Sequence, residues 1–160
     1  MTHVTIEHVI MIPILVLQIF LFPIVANYLM NVWVDSRRTL MLQDAASNIG
    51  SSIQQLFFAL DHPTMPAGTS YDQFGLPPYI DGYWYTASAT LHVSSSVTNS
   101  SQVLQITVRL VTTNTQVTSS VLLGSMAQWN GTSTFESNST TANAYGQKFP
   151  NGTILLAFGG

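Results

Sequence analysis

HVIMIPILVLQIFLFPIVANYLMNVWV, residues 8–34, runs for 27 consecutive positions without Asp, Glu, Lys or Arg. Ile10, Ile14, Leu17, Ile19, Leu21, Ile24 and Val25 put apolar side chains on every face of a helix, so a helix built from this stretch has to be covered all round. At a rise of about 1.5 Å per residue it extends roughly 40 Å, enough to cross a bilayer core of about 30 Å. Downstream, Asp35, Arg37 and Arg38 interrupt the apolar run and the pattern changes. Leu42, Ala46, Ile49, Ile53, Leu56 and Leu60 recur every three or four residues, with Gln43, Asp44, Ser47, Asn48, Ser51, Gln54 and Gln55 between them. That spacing predicts an amphipathic continuation of the same helix. It ends at Asp61-His62-Pro63, because the residue before a proline is driven out of the helical region. The expectation is one helix over 1–60, apolar over 8–34 and amphipathic over 35–60.

Beyond it, Pro63, Pro66, Pro77 and Pro78 with Gly68, Gly75 and Gly82 make 61–82 read as a Pro/Gly-rich loop. From Tyr83 a period of two sets in: Tyr83, Tyr85, Ala87, Ala89, Leu91 and Val93 alternate with Trp84, Thr86, Ser88, Thr90 and His92. Leu104, Ile106, Val108 and Leu110 repeat the alternation, Val117, Val121 and Leu123 form a weaker third strand, and shorter strands are expected near 132–137, 140–147 and 153–158. The last, Ile154 to Phe158, is apolar on both faces and should be covered on both. Strands at this spacing predict a small antiparallel β-sandwich over 83–160, and an α+β chain as a whole.

Composition narrows the function. Charged residues are 7% of the 160, against about 25% in an average soluble domain. With a net charge of −3 and four basic residues there is no cationic surface to neutralise a phosphate backbone, so nucleic acid is not expected as a partner. Cysteine is absent, which removes disulfide scaffolds, thiolate nucleophiles and thiolate metal sites together. His3, His8, His62 and His92 lack metal-ligand spacing and no Ser/His/Asp arrangement is supported, so no catalytic residue, metal or cofactor is expected. Tyr79, Tyr83, Trp84, Tyr85 and Trp129 read either as a sugar platform or as core and cross-strand packing.

Arg37 and Arg38 after the span would, by the positive-inside rule, put the β domain in the cytoplasm. The domain's own chemistry argues for the outside. Between Tyr83 and Gly160 the only charges are Arg109, Glu136 and Lys148, while 25 residues are Ser or Thr. Four Asn-x-Ser/Thr sequons, at Asn99, Asn130, Asn138 and Asn151, offer N-glycan acceptors that would supply the missing solubility. The two lines are reconciled if a charged leader has been cleaved ahead of Met1.

An apolar N-terminal helix carrying Glu7, Pro13 and Pro23, an amphipathic second half and a Ser/Thr-rich β domain together resemble an archaeal type IV pilin or archaellin. Ile6-Glu7-His8-Val9-Ile10-Met11-Ile12-Pro13 is similar to the start of TadE-like pilins, and Leu42 to Gly50 is similar to the small-residue segment after their span. The likeness covers about the first 50 residues; over the β domain it is one of architecture, the resemblance implying a small antiparallel β-sandwich of immunoglobulin-like kind, and the family's basic-then-glycine peptidase site is not present. The resemblance implies a membrane-held subunit whose helix moves from lipid into the axis of a helical filament made of copies of itself, an extracellular adhesion-type pilus. Subunits joined by a non-closing contact polymerise without limit.

Within that frame Glu7 has two readings: an acid favoured by the helix dipole, worth under about 1 kcal/mol, or, as the resemblance implies, a partner for the N-terminal amine of the next subunit. Pro13 and Pro23 deprive the carbonyls of Val9 and Ile19 of their usual partners, either as tolerated prolines of a membrane helix or as points where it bends under tension. Gln18, Asn27 and Asn31 are the amides of the span, the last two spaced four apart on one face, and they suit interhelical hydrogen bonds. Ile14 and Ile19 are expected in the buried bundle. Gln54, opposite the Ile53 stripe, is expected to leave the isolated domain unaffected when replaced by Ala and to bear on contacts between subunits. Two rival readings share these signals: a single-span surface glycoprotein, and a minor pilin or pseudopilin of a secretion system.

Overall fold

The structure, a computed structural model, describes residues 3–93, 101–113 and 115–159, with side chains from Val9 onward. One helix, α1, runs from His3 to Asp61 with Pro13 and Pro23 inside it. Eight strands follow: β1 (Gly68–Asp72), β2 (Tyr85–Val93), β3 (Gln102–Leu110), β4 (Gln116–Leu123), β5 (Ala127–Trp129), β6 (Thr134–Glu136), β7 (Asn143–Lys148) and β8 (Ile154–Gly159). They form two four-stranded sheets, ordered β1-β7-β8-β5 and β4-β3-β2-β6. The chain divides into two compact units, Met1–Arg37 and Arg38–Gly160.

In the second unit the amphipathic half of α1 is part of the core. Leu42, Ala46, Ile49, Ile53, Leu56 and Leu60 are all buried, joined by Ala45 and Phe57. They share one apolar cluster with Leu104, Ile106, Val108 and Leu110 of β3 and with Ile154, Leu156 and Phe158 of β8. The helix comes close to both sheets. A Cβ on Gly50 would lie 2.8 Å from Val121 Cγ1 of β4, and one on Gly146 of β7 would meet Leu60 and Leu56. Glycine at these two places is what permits the approach. At the end of α1, Lys148 donates from Nζ to the His62 carbonyl at 3.0 Å, placing a cation where the helix dipole favours one.

Several expectations need revision. The segment 61–82 contains β1, which pairs antiparallel with β7 from Gly68↔Lys148 to Asp72↔Ala144. It also contributes Phe74, whose ring meets Phe135 edge-on at 5.1 Å and Phe158 at 6.2 Å, and the buried Ile80. Phe74, Leu76 and Ile80 of this segment lie against the core. The sheets are not wholly antiparallel, since β5 runs parallel to β8. β5 is too short to announce itself by alternation. Strand β2 begins at Tyr85, because Tyr83 is taken up in a bridge with Ile80. Ile154, Leu156, Ala157 and Phe158 are buried, but Leu155 stays half-buried, so the outer face of this doubly apolar strand is covered only in part.

Candidate assembly surface

The proposed assembly residues lie on the first unit. Within the apolar part of α1 none of the most hydrophobic 18-residue window is buried, and its mean hydropathy is 2.7. From Val9 to Val25 the large apolar side chains keep between 47% and 76% of their area exposed, Phe22 the most. Ile14 and Ile19 are among them. A monomer in water rarely leaves so large a contiguous apolar surface uncovered. The helix is thus long and apolar enough to cross a membrane.

Gln18, Asn27 and Asn31 are exposed, and their amides have no hydrogen-bond partner among the described residues. Away from water such groups need donors and acceptors on a neighbouring helix. Gln18 borders a depression of about 570 Å³ beside Pro23, with Leu15, Ile19 and Phe22 around it. Pro13 and Pro23 sit inside the helix as expected, each removing one backbone donor. Near the end of the run Trp33 carries the Arg37 guanidinium over its ring at 5.9 Å. A tryptophan next to a cation is the composition found at a membrane–water boundary. The Glu7 side chain lies outside the described residues.

Of the sequons, Asn130, Asn138 and Asn151 are exposed, while Asn99 lies outside the described residues. Asn130 Oδ1 accepts from the Thr132 hydroxyl at 2.8 Å, and Asn151 Oδ1 accepts from the Thr153 backbone N–H at 3.0 Å. The Asn130 and Asn151 amides are therefore set by the threonines of their own sequons.

The aromatic residues singled out by alternation do not share a face. Tyr85 is fully buried, and its hydroxyl donates to the Pro77 carbonyl at 2.9 Å. Burial pushes that phenol up to about 12. Beside it the Ser137 hydroxyl donates to the Pro78 carbonyl and accepts from the Tyr85 N–H, pinning the 61–82 segment to β2. Trp129 packs edge-on against Phe158 at 5.0 Å. Tyr83 lies under Arg38, 5.2 Å from its guanidinium, and Arg38 pairs with Asp81 at 2.6 Å. A different aromatic pair reaches the surface, the exposed Tyr71 against the half-buried Tyr145, missed because Tyr71 falls in the segment read as a loop. Among the described residues no three of His, Asp and Glu gather into a metal-binding group.

Compared with protein families, with curated proteins and with solved structures, the chain matches none.

Proposed function

We propose that the chain is the structural subunit of an extracellular helical filament, an adhesion-type type IV pilus, held in the membrane before assembly and polymerising through the apolar half of α1. The observation that carries this reading is the pairing of a fully formed core in the second unit with an apolar helical segment that has no cover in the first. Copies of the same helix are a suitable cover, because apolar side chains lose little on exchanging lipid for protein, while close packing and the amides Gln18, Asn27 and Asn31 add specificity. Glu7 fixes axial register by pairing with a neighbouring N-terminus, and Pro13 and Pro23 are the points of extension. The two sheets are an immunoglobulin-like sandwich carrying N-glycans at Asn99, Asn130, Asn138 and Asn151; two four-stranded layers around one core support this.

Shearing cells and separating fibres from membranes tests the reading. The protein should leave with the fibres as their principal component. Ile14→Asp or Ile19→Asp should abolish them, since an unpaired charge in a dry bundle costs several kcal/mol. Retention with the membranes would make the chain a single-span surface glycoprotein instead, and trace abundance in fibres a minor pilin.

A further inference from the structure

One cross-strand row on the outer face of the β1-β7-β8-β5 sheet joins a sequon to the Tyr71–Tyr145 pair. Tyr71 of β1 stands opposite Tyr145 of β7, and Tyr145 opposite Ala157 of β8. Trp129 of β5 pairs with Leu156 in the parallel ladder, and the Asn130 N–H continues that ladder to the Leu156 carbonyl at 2.9 Å. Asn130 therefore ends the row beside Ala157. Reading across the sheet, an acceptor asparagine is followed by a small residue and then by two aromatic rings, whose centroids are 5.3 Å apart. The same residues, with Asn143 and Thr141, line an open depression of about 530 Å³. Ala157 is its floor, and its side chain lies outside the apolar core cluster.

The acceptor is prepared. Asn130 Oδ1 takes the Thr132 hydroxyl at 2.8 Å and the Thr132 N–H at 3.3 Å, which leaves Nδ2 without a partner among the described residues. The Ser133 hydroxyl, donating to the Asn130 carbonyl at 2.7 Å, holds the backbone of this turn. Tyr145 is held as well, since its hydroxyl donates to Gln147 Oε1 at 2.9 Å.

We propose that an N-linked glycan on Asn130 lies in this depression, with its first sugars over Ala157 and against the ring of Tyr145. The inference rests on the reading of the sheets as extracellular and glycan-bearing; it does not depend on polymerisation. Transfer from a lipid-phosphate-linked sugar donor forms a bond between the anomeric carbon and Nδ2. It breaks the anomeric carbon–oxygen bond to phosphate, the lipid phosphate leaves with that electron pair, and Nδ2 gives up one proton. Tyr145 is two strand spacings from Asn130, about 10 Å, the reach of one to two sugar rings. The C–H face of a sugar carries slight positive charge and suits the electron-rich face of an aromatic ring. Of the three described sequons, Asn130 is the one lining this depression.

The full chain isolated from the cells that make it, kept in detergent, gives the test. Peptide mass spectrometry should find Asn130 occupied. Tyr145→Ala should then lower the melting temperature about 4 °C more in the glycosylated chain than in an Asn130→Gln background, the excess being the coupling between ring and glycan. Tyr145→Leu, which keeps an apolar side chain in place but removes the aromatic face, serves in the same cycle should Tyr145→Ala fail to fold. An occupied Asn130 with equal losses in both backgrounds overturns the packing. A bare Asn130 with sugar at Asn99, Asn138 or Asn151 overturns this inference alone, and a bare chain overturns the glycoprotein reading with it.

Discussion

Replacing Ile53 by Ala tests whether the lower half of α1 belongs to the core of the sheet unit. Ile53 is 0% exposed and sits in the cluster formed with both sheets. The substitution removes three carbons, worth about 0.8 kcal/mol each or about 2.4 kcal/mol in transfer alone. The close approach at Gly50, one turn before, leaves little room for the helix to settle into the gap. A cavity that fails to collapse adds up to about 2 kcal/mol, so the total falls inside the range of about 2–5 kcal/mol seen for such changes. At roughly 4 °C per kcal/mol for a unit of this size, melting should fall by about 10–18 °C. The assay is thermal unfolding by circular dichroism of a chain beginning at Arg38, the start of the compact unit, with Gln55→Ala on the exposed side as the control. Equal melting of Ile53→Ala and the parent would refute the packing and make the stripe a surface completed only by other subunits.

Gln54→Ala should cost about 1 kcal/mol in the same assay, because Gln54 Nε2 donates to the Leu122 carbonyl of edge strand β4 at 2.9 Å; no loss would return Gln54 to a purely intersubunit role. Gly50→Ala should destabilise despite the roughly 1 kcal/mol that alanine gains over glycine in a helix, since its Cβ would meet Val121 Cγ1 at 2.8 Å; a higher melting temperature would mean that helix and β4 are further apart. Tyr85 binds its proton more tightly folded, at about 12, than unfolded, near 10, so its contribution is complete below pH 10 and is lost as pH rises toward 12. Tyr85→Phe should remove that part of the alkaline loss in melting curves taken across the interval, and an unchanged curve would contradict the assignment.

Which parts were legible follows from how strongly one physical requirement acted on neighbouring residues. The stripe from Leu42 to Leu60 was readable because burial on one helix face imposes a period that Gln54 or Ser51 on the other side does not disturb. The β2 and β3 strands were readable for the same reason with a period of two. β5 was not, since three residues, Ala127–Trp129, carry no period. β1 was hidden because Gly68, Thr69 and Ser70 lie among prolines, and its strand state depends on pairing with β7, distant in sequence. At the site, the span and its amides were visible from composition alone. The row of Asn130, Ala157, Tyr145 and Tyr71 was not, because it comes from register across four strands. Gln54 was misjudged for a related reason: helix periodicity says which way a side chain faces, and it takes tertiary structure to bring the Leu122 carbonyl there.

The change in composition at Asp35 to Arg38 separates two demands made on a single helix. From Leu42 onward apolar residues are covered within the chain, so their loss is felt as unfolding of the sheet unit. Before Val34 the apolar side chains are exposed, so a charge there has no folded core of its own chain to disrupt. Changes at sites that share no partners add independently. Full-length protein in detergent should therefore melt at the parent temperature when it carries Ile14→Asp, the change that the proposed filament role expects to abolish fibres, whereas Ile53→Ala should lower melting whether or not the chain is assembled. If Ile14→Asp lowered the melting of the sheets as far as Ile53→Ala does, the apolar segment would be part of the folded core, and an assembly role would no longer be needed to explain its sequence.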